Sequence, residues 1–252
     1  MGLWTRTAIP VTKSDQSGDD AAVSDERMAP LPAARVRGRL WDLPTRIIHW
    51  ALVLLIAFAW WSAHASKMEW HRWAGYGVLG LILFRLVWGF WGSASARFSN
   101  FVRGPLATLA YVRTLPDRAH AETPGHNPLG AWSVLALLTA ILVQVVTGLF
   151  AVDVDGEESG PLSYRVSFET GRAFAKWHTW SFTAIEGLVV IHLAAILFYL
   201  LYKRTNLVQP MITGWREFEA DPGVTMAPLW RVLALGVIVA AATYWVMTGL
   251  RI

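Results

Sequence analysis

Long apolar runs alternate with short polar connections along this chain, and the alternation sets its architecture. Five runs, at roughly 47–63, 71–91, 129–151, 177–202 and 229–250, each approach the ~20 residues that a helix needs to cross the hydrocarbon of a bilayer. Within lipid no water satisfies a backbone N–H or C=O, so such runs fold as helices that bond internally. The first run is short, but Trp41, Trp50, Trp60 and Trp61 flank it, and indole rings settle at the lipid–water boundary. Only a few polar residues around 64–70 join the first two helices, which makes them antiparallel neighbours. Ahead of them, residues 1–38 form a polar tail, punctuated by Pro30 and Pro32, whose composition predicts disorder. The tail has no apolar stretch of signal-peptide length and no small-residue cleavage motif, so it is expected to stay on the chain. Residues 215–252 are expected to supply a linker and a fifth, C-terminal transmembrane helix.

Composition sharpens this picture. The chain is 54% apolar and only 16% charged, with a mean hydropathy of +0.38, whereas soluble domains carry roughly 25% charged residues. An ordinary soluble enzyme is excluded. The chain contains no cysteine, which removes disulfides, iron–sulfur clusters, thiolate zinc sites and covalently attached c-type haem. The net charge is +4 and the isoelectric point near 9.6. The basic residues flank apolar runs, so they report membrane topology rather than nucleic-acid binding. The tail and the loops after the second and fourth helices hold fifteen Lys and Arg, against six on the other side. By the positive-inside rule the N-terminus is cytoplasmic and the C-terminus external. Asp153, Asp155, Glu157 and Glu158 then form a small acidic patch on the outer face. There is no internal repeat, and five helices fit poorly with the paired halves of a transporter.

The histidines carry most of the chemical information. His178 and His192 lie on the same helix, with His178 expected at its opening. Fourteen residues separate them by ~21 Å along the axis and bring them within ~40° of one another around it. Two imidazoles therefore project from one face at two depths. Topology supplies a partner at each depth, His71 on the second helix for His178 and His49 on the first for His192. Two haems, each gripped by two imidazoles, would use all four, since haem iron takes one axial ligand on each side of its ring. Any one of these histidines alone reads more plainly as a hydrogen-bonded or snorkelling interface residue. The paired pattern is what favours ligation.

Several segments carry a resemblance: RLWDLPTRIIHW, EWHRWAGY, LFRLVWGFWGS, ARFSNFVRGP, GHNPLGAW and KRTNLVQPMITG. Together they resemble the bacterial di-haem cytochrome b family of the cytochrome b-561 and nickel-hydrogenase type, over roughly residues 39–214. The resemblance implies a four-helix transmembrane haem-binding bundle with two non-covalent haem b groups. The implied axial ligands are His49 and His192 for the inner haem, and His71 and His178 for the outer one. It also implies a multi-pass protein of the bacterial inner membrane. The expected fold is thus an all-α integral membrane protein, a four-helix haem-binding bundle over 39–214 plus the C-terminal fifth helix. The fifth helix and the tail lie outside the resemblance.

Other residues compete for roles around these sites. His64 lies near the same interface as His71, but His71 has Gly75 one turn deeper on its own face, where a missing side chain admits a flat ring. His71 is therefore assigned as ligand and His64 as an interface residue. His120 and His126 read as loop residues off the membrane, His126 in the segment that launches the third helix. Arg85 sits inside the second helix at the depth of His192, where a cation needs a reason. It either meets a propionate of the inner haem or snorkels toward Trp91. Arg46, Arg72 and Lys176 flank the ligands and either meet propionates too or anchor at lipid headgroups, which explains them equally well. Glu186, between the two histidine levels, is expected to be a buried carboxylate, either hydrogen-bonded between helices or relaying protons.

Imidazole on both faces of the iron leaves no open position for oxygen or substrate, so the expected function is electron transfer. By resemblance, the outer partner is a periplasmic redox protein (a hydrogenase, a dehydrogenase or a c-type cytochrome) and the inner end exchanges electrons with quinone. The rival readings are a self-sufficient quinone-linked oxidoreductase, a histidine-lined transporter and a structural anchor without haem.

Overall fold

A computed structural model describes residues 35–118, 125–155 and 158–251. The tail through Ala34, His120 and Glu157 lie outside the described residues. The chain runs through β1 (Val36–Arg39), α1 (Leu43–His64), α2 (Met68–Trp91), α3 (Phe98–Phe101), α4 (Pro105–Arg113) and α5 (Pro128–Phe150). After a short 3-10 turn at Ser163–Arg165 come α6 (Phe168–Leu201), α7 (Val208–Thr213), β2 (Trp215–Phe218) and α8 (Leu229–Met247). Five of these helices, α1, α2, α5, α6 and α8, are long and apolar enough to cross a membrane. The end of the bundle that holds the start of α1 is called the near end below, and the opposite one the far end.

Local sequence explains where the spans begin. At α1 the Asp42 carboxylate accepts from Thr45 N at 2.8 Å, and Pro44 occupies the first turn, where a missing N–H costs nothing. At α5, Asn127 accepts from Gly130 N at 2.7 Å and Pro128 follows it. At α6, Ser167 accepts from Thr170 N at 3.2 Å. In each case a short polar side chain satisfies a donor that the first turn leaves unpaired.

Helix α2 is the central element, packing on α1, α5 and α8. Its Ile82 and Trp88 are fully buried, and Leu52 of α1, Ile141 of α5 and Ile185 of α6 join Ile82 in one core. Lipid tails are as apolar as leucine, so tight packing and polar bonds rather than escape from water hold such helices together. One polar bond stands out at the near end: Trp88 Nε1 donates to Asp42 Oδ2 at 2.8 Å, tying α2 to the cap of α1. The same carboxylate is the acidic neighbour of the buried Arg85.

Three features lie beyond the sequence reading. Strands β1 and β2 form an antiparallel ribbon with Val36 opposite Phe218 and Arg39 opposite Trp215. Where α7 ends, Gly214 has φ +84°, and its carbonyl accepts from Leu40 N at 2.9 Å. A Cβ there would stand 2.9 Å from the Trp41 carbonyl, so both conformation and space call for glycine. Secondly, the stretch after α2 contains a real helix, α4, whose Leu106 and Leu109 are exposed between Arg103 and Arg113. Apolar side chains flanked by cations suit the membrane interface, and Trp132 Nε1 donates to Thr108 Oγ1 at 3.0 Å to hold α4 against α5. Thirdly, α6 starts at residue 168 instead of 177 and is 34 residues long. That is ~51 Å at ~1.5 Å per residue, well over the ~30 Å of bilayer hydrocarbon. His178 therefore does not open the helix but lies ten residues inside it.

Candidate functional site

At the far end the rings of His71 and His178 stand 6.0 Å apart between centroids, at 82° to each other. His71 Nδ1 donates to the Ala59 carbonyl at 2.8 Å, and His178 Nδ1 donates to the Gln144 carbonyl at 2.9 Å. Anchoring Nδ1 on a backbone carbonyl fixes the tautomer and turns Nε2 outward, the arrangement common to ligating imidazoles. The Gln144 amide nitrogen lies 3.0 Å from His178 Nε2, and Ser181 donates to Gln144 Oε1. Ligation by His178 requires that amide to turn away.

Two glycines shape this end in opposite ways. A Cβ on Gly148 would come within 2.8 Å of His178 Cε1, so the ring lies directly against the α5 backbone. A Cβ on Gly75 would meet nothing within 4 Å. Gly75 faces a cavity of about 540 Å³ whose walls include His64, His71, Gln144, His178 and Glu186, within the ~300–1,000 Å³ of small-molecule sites.

At the near end the rings of His49 and His192 are 6.5 Å apart at 52°, and His49 Nδ1 is buried with no hydrogen-bond partner. A coordinating nitrogen about 2 Å from a metal, with its ring centre about 1 Å further, puts two opposed imidazole centres roughly 6 Å apart. Both pairs match that span. Among the described residues no group of three or more His, Cys, Asp or Glu converges. Two-imidazole donor sets, one beside an open cavity, fit a planar macrocycle with two axial positions better than a tetrahedral ion.

The remaining candidates fall as follows. His64 bonds Trp60 O through Nδ1 at 2.9 Å and lies tilted against that indole, while still lining the far cavity. Arg72 pairs with Glu158 of the acidic loop. Lys176 lies over the Trp180 ring at 4.8 Å, and Arg46, one turn before His49 on α1, donates to Ile212 O. Arg85 is buried, 5.1 Å above Phe98 and 3.5 Å from Ala96 O, so it turns toward the chain that follows α2. Glu186 is not buried between helices: it is exposed and borders the far cavity. Helix α6 meets its neighbours through residues such as Ile185, and the next position points out of that contact.

His126 and Gln144 are the residues that sequence reasoning missed. His126 is more than a loop residue off the membrane. Its ring sits 4.7 Å from both Trp41 and Phe101, and its Nδ1 is buried without a partner. Burial first, and then the charges of Arg85, His192 and His49, push its pKa down to about 3. A neutral imidazole thus stands beside the near pair. Its one sequence signal was a histidine directly before the Asn127 cap.

Comparison with known proteins identifies the family. The family model for prokaryotic cytochrome b561 matches residues 40–214. A protein of Bradyrhizobium diazoefficiens named as a probable Ni/Fe-hydrogenase B-type cytochrome subunit is 23% identical over 242 residues, covering 82% of this chain and 96% of its own. No solved structure matches. The chain belongs to the prokaryotic cytochrome b561 family, and is a multi-pass membrane electron-transfer cytochrome of the haem b type.

Proposed function

We propose that this cytochrome holds two haem b groups per chain, one between His71 and His178 and one between His49 and His192. In this reading it carries electrons across the bacterial inner membrane. The observation that carries the proposal is the pairing itself: two opposed imidazole pairs share α6, fourteen residues or ~21 Å apart along its axis. Haem b gripped on both faces by imidazole exchanges single electrons and leaves no open coordination position for oxygen or substrate.

The protein's own part is positioning. The Ala59 and Gln144 carbonyls hold the far rings in one tautomer, Gly75 leaves flat space beside His71, and Gly148 lets His178 lie against α5. Arg72 forms an ion pair with Glu158 at the rim of the far cavity, and the buried Arg85 supplies positive charge close to His126, where it bears on potential. The fifteen-to-six distribution of Lys and Arg supports a cytoplasmic near end and a periplasmic far end. The name of the Bradyrhizobium relative favours a hydrogenase as the periplasmic partner, with a dehydrogenase or a c-type cytochrome as the other redox proteins that suit that face. Quinone is the exchange partner we assign to the near end.

A liposome assay tests the wire without any partner. With ferricyanide trapped inside and an impermeant reductant outside, liposomes carrying the protein should bleach the trapped ferricyanide. Those carrying His178→Ala or His49→Ala should not. Equal bleaching by all three would contradict transmembrane transfer through the pairs.

Gly148→Val tests positioning separately from ligation. The added side chain drives into His178, and overpacking of this kind costs ~1–3 kcal/mol when it cannot relax. The far haem should be lost or perturbed in absorption and EPR spectra while the near one is unchanged. A far haem indistinguishable from that of the wild type would refute the close-approach argument.

A further inference from the structure

Between α1 and α8 lies a second cavity, of about 770 Å³, that none of the described histidines lines. Its floor is α2 from Tyr76 to Trp88, twelve residues or ~18 Å of helix. Pro44 and Ile47 form one wall, and Val232, Gly236 and Ala240 the other. A Cβ on Gly236 would meet nothing within 4 Å, so that wall stands back from its neighbours. Apolar side chains such as Ile47, Leu81, Val232 and Ala240 line most of its length. Such a lining suits extended hydrocarbon.

Its two ends differ. The far part is bordered by Tyr244 and Met247, whereas the near mouth carries Arg39, Arg46 and Asp42. The two oxygens of Asp42 are engaged by Thr45 N and Trp88 Nε1. Arg46 uses one nitrogen on Ile212 O while its Nε has no partner, and Arg39 lies on the exposed ribbon, 5.4 Å over Trp215. The near mouth thus carries two guanidiniums and one carboxylate, and both oxygens of that carboxylate are already hydrogen-bonded. Basic pockets between transmembrane helices, next to an apolar slot, match an amphiphile with an anionic head.

We infer that this groove is a specific site for an anionic glycerophospholipid of the near leaflet, with its phosphate at Arg39 and Arg46 and an acyl chain along α2 between α1 and α8. Bound there, the lipid fills the gap between the family core and α8, which lies outside the matched segment 40–214. The site requires neither haem pair, so it stands apart from the electron-transfer reading.

The test uses full-length, haem-loaded protein, delipidated in detergent and examined by native mass spectrometry. Equimolar dioleoylphosphatidylglycerol, dioleoylphosphatidylcholine and a long-chain ubiquinone serve as probes. The expected result is one phosphatidylglycerol per chain, retained over phosphatidylcholine. Arg39→Gln should reduce that preference about fivefold, as for one cation at a membrane surface. Gly236→Leu, which fills the slot, should abolish retention with haem content unchanged, and Ala240→Leu on the same wall gives a second reading if the first variant folds poorly. Equal retention of the two phospholipids overturns the inference. So does retention that survives both leucine variants, ubiquinone displacing phosphatidylglycerol, or a second copy or accompanying protein segment found closing the groove.

Discussion

His178→Ala is expected to halve the haem content of the purified protein, from two haem b per chain to one, and to remove the far-end spectroscopic signature while leaving the near one. The side chain is held by the Gln144 carbonyl on one edge and packed on Gly148 along another, and its ring faces His71 across 6.0 Å. No other described imidazole shares the contact across that gap. The near pair uses His49 on α1 and His192 on the distant half of α6, so nothing in it depends on His178. His71→Ala should give the same spectrum. His64 supplies the control, because it lines the same cavity yet is spent on Trp60. If His64→Ala removed the far haem and His71→Ala spared it, the ligand assignment on the far side would move to His64. Retention of both haems in His178→Ala would break the far pair altogether.

Asp42→Ala is expected to be the most destabilising single change outside the imidazole pairs. It removes the cap of α1, worth ~1 kcal/mol, and leaves the Trp88 indole N–H buried without an acceptor, worth ~1–3 kcal/mol. It also strips Arg85 of its acidic neighbour. A total of about 3 kcal/mol corresponds to a fall of roughly 6–12 °C in the melting temperature of a domain this size, read as thermal loss of the Soret band. Asp42→Asn, which keeps an oxygen for the cap, should fall between the two. A melting temperature within a degree or two of the wild type would show that the cluster contributes little.

Much of this architecture was legible because lipid imposes a simple rule on sequence: each crossing must be a long apolar helix. The five spans follow from run length alone, and the fourteen-residue spacing of His178 and His192 already places them on one face. What escaped had other physical causes. The β1–β2 ribbon joins two four-residue segments nearly 180 positions apart, and no local pattern announces so distant a pairing. The first turns of α6 are polar because they lie beyond the apolar run, so hydropathy sees only the later part of the helix. Helix α4 is short and half-polar, below any spanning length. His126 and Gln144 gain their places from tertiary contacts, His126 by fitting between Trp41 and Phe101. Glu186 was expected to be buried from its position in mid-helix, but which residues of α6 meet its neighbours decides burial, and Glu186 lies one position past the buried Ile185, bordering the open far cavity.

The central claim is two haems held by four histidines, and the most direct measurement is haem per chain, as the pyridine complex, combined with a potentiometric titration of the reduced-minus-oxidised spectrum. The account predicts two non-covalent haem b groups per chain, titrating as two one-electron steps, with one step lost in His71→Ala or His178→Ala and the other in His49→Ala or His192→Ala. A single haem per chain in the wild-type protein, or two that survive the loss of either pair, would contradict it.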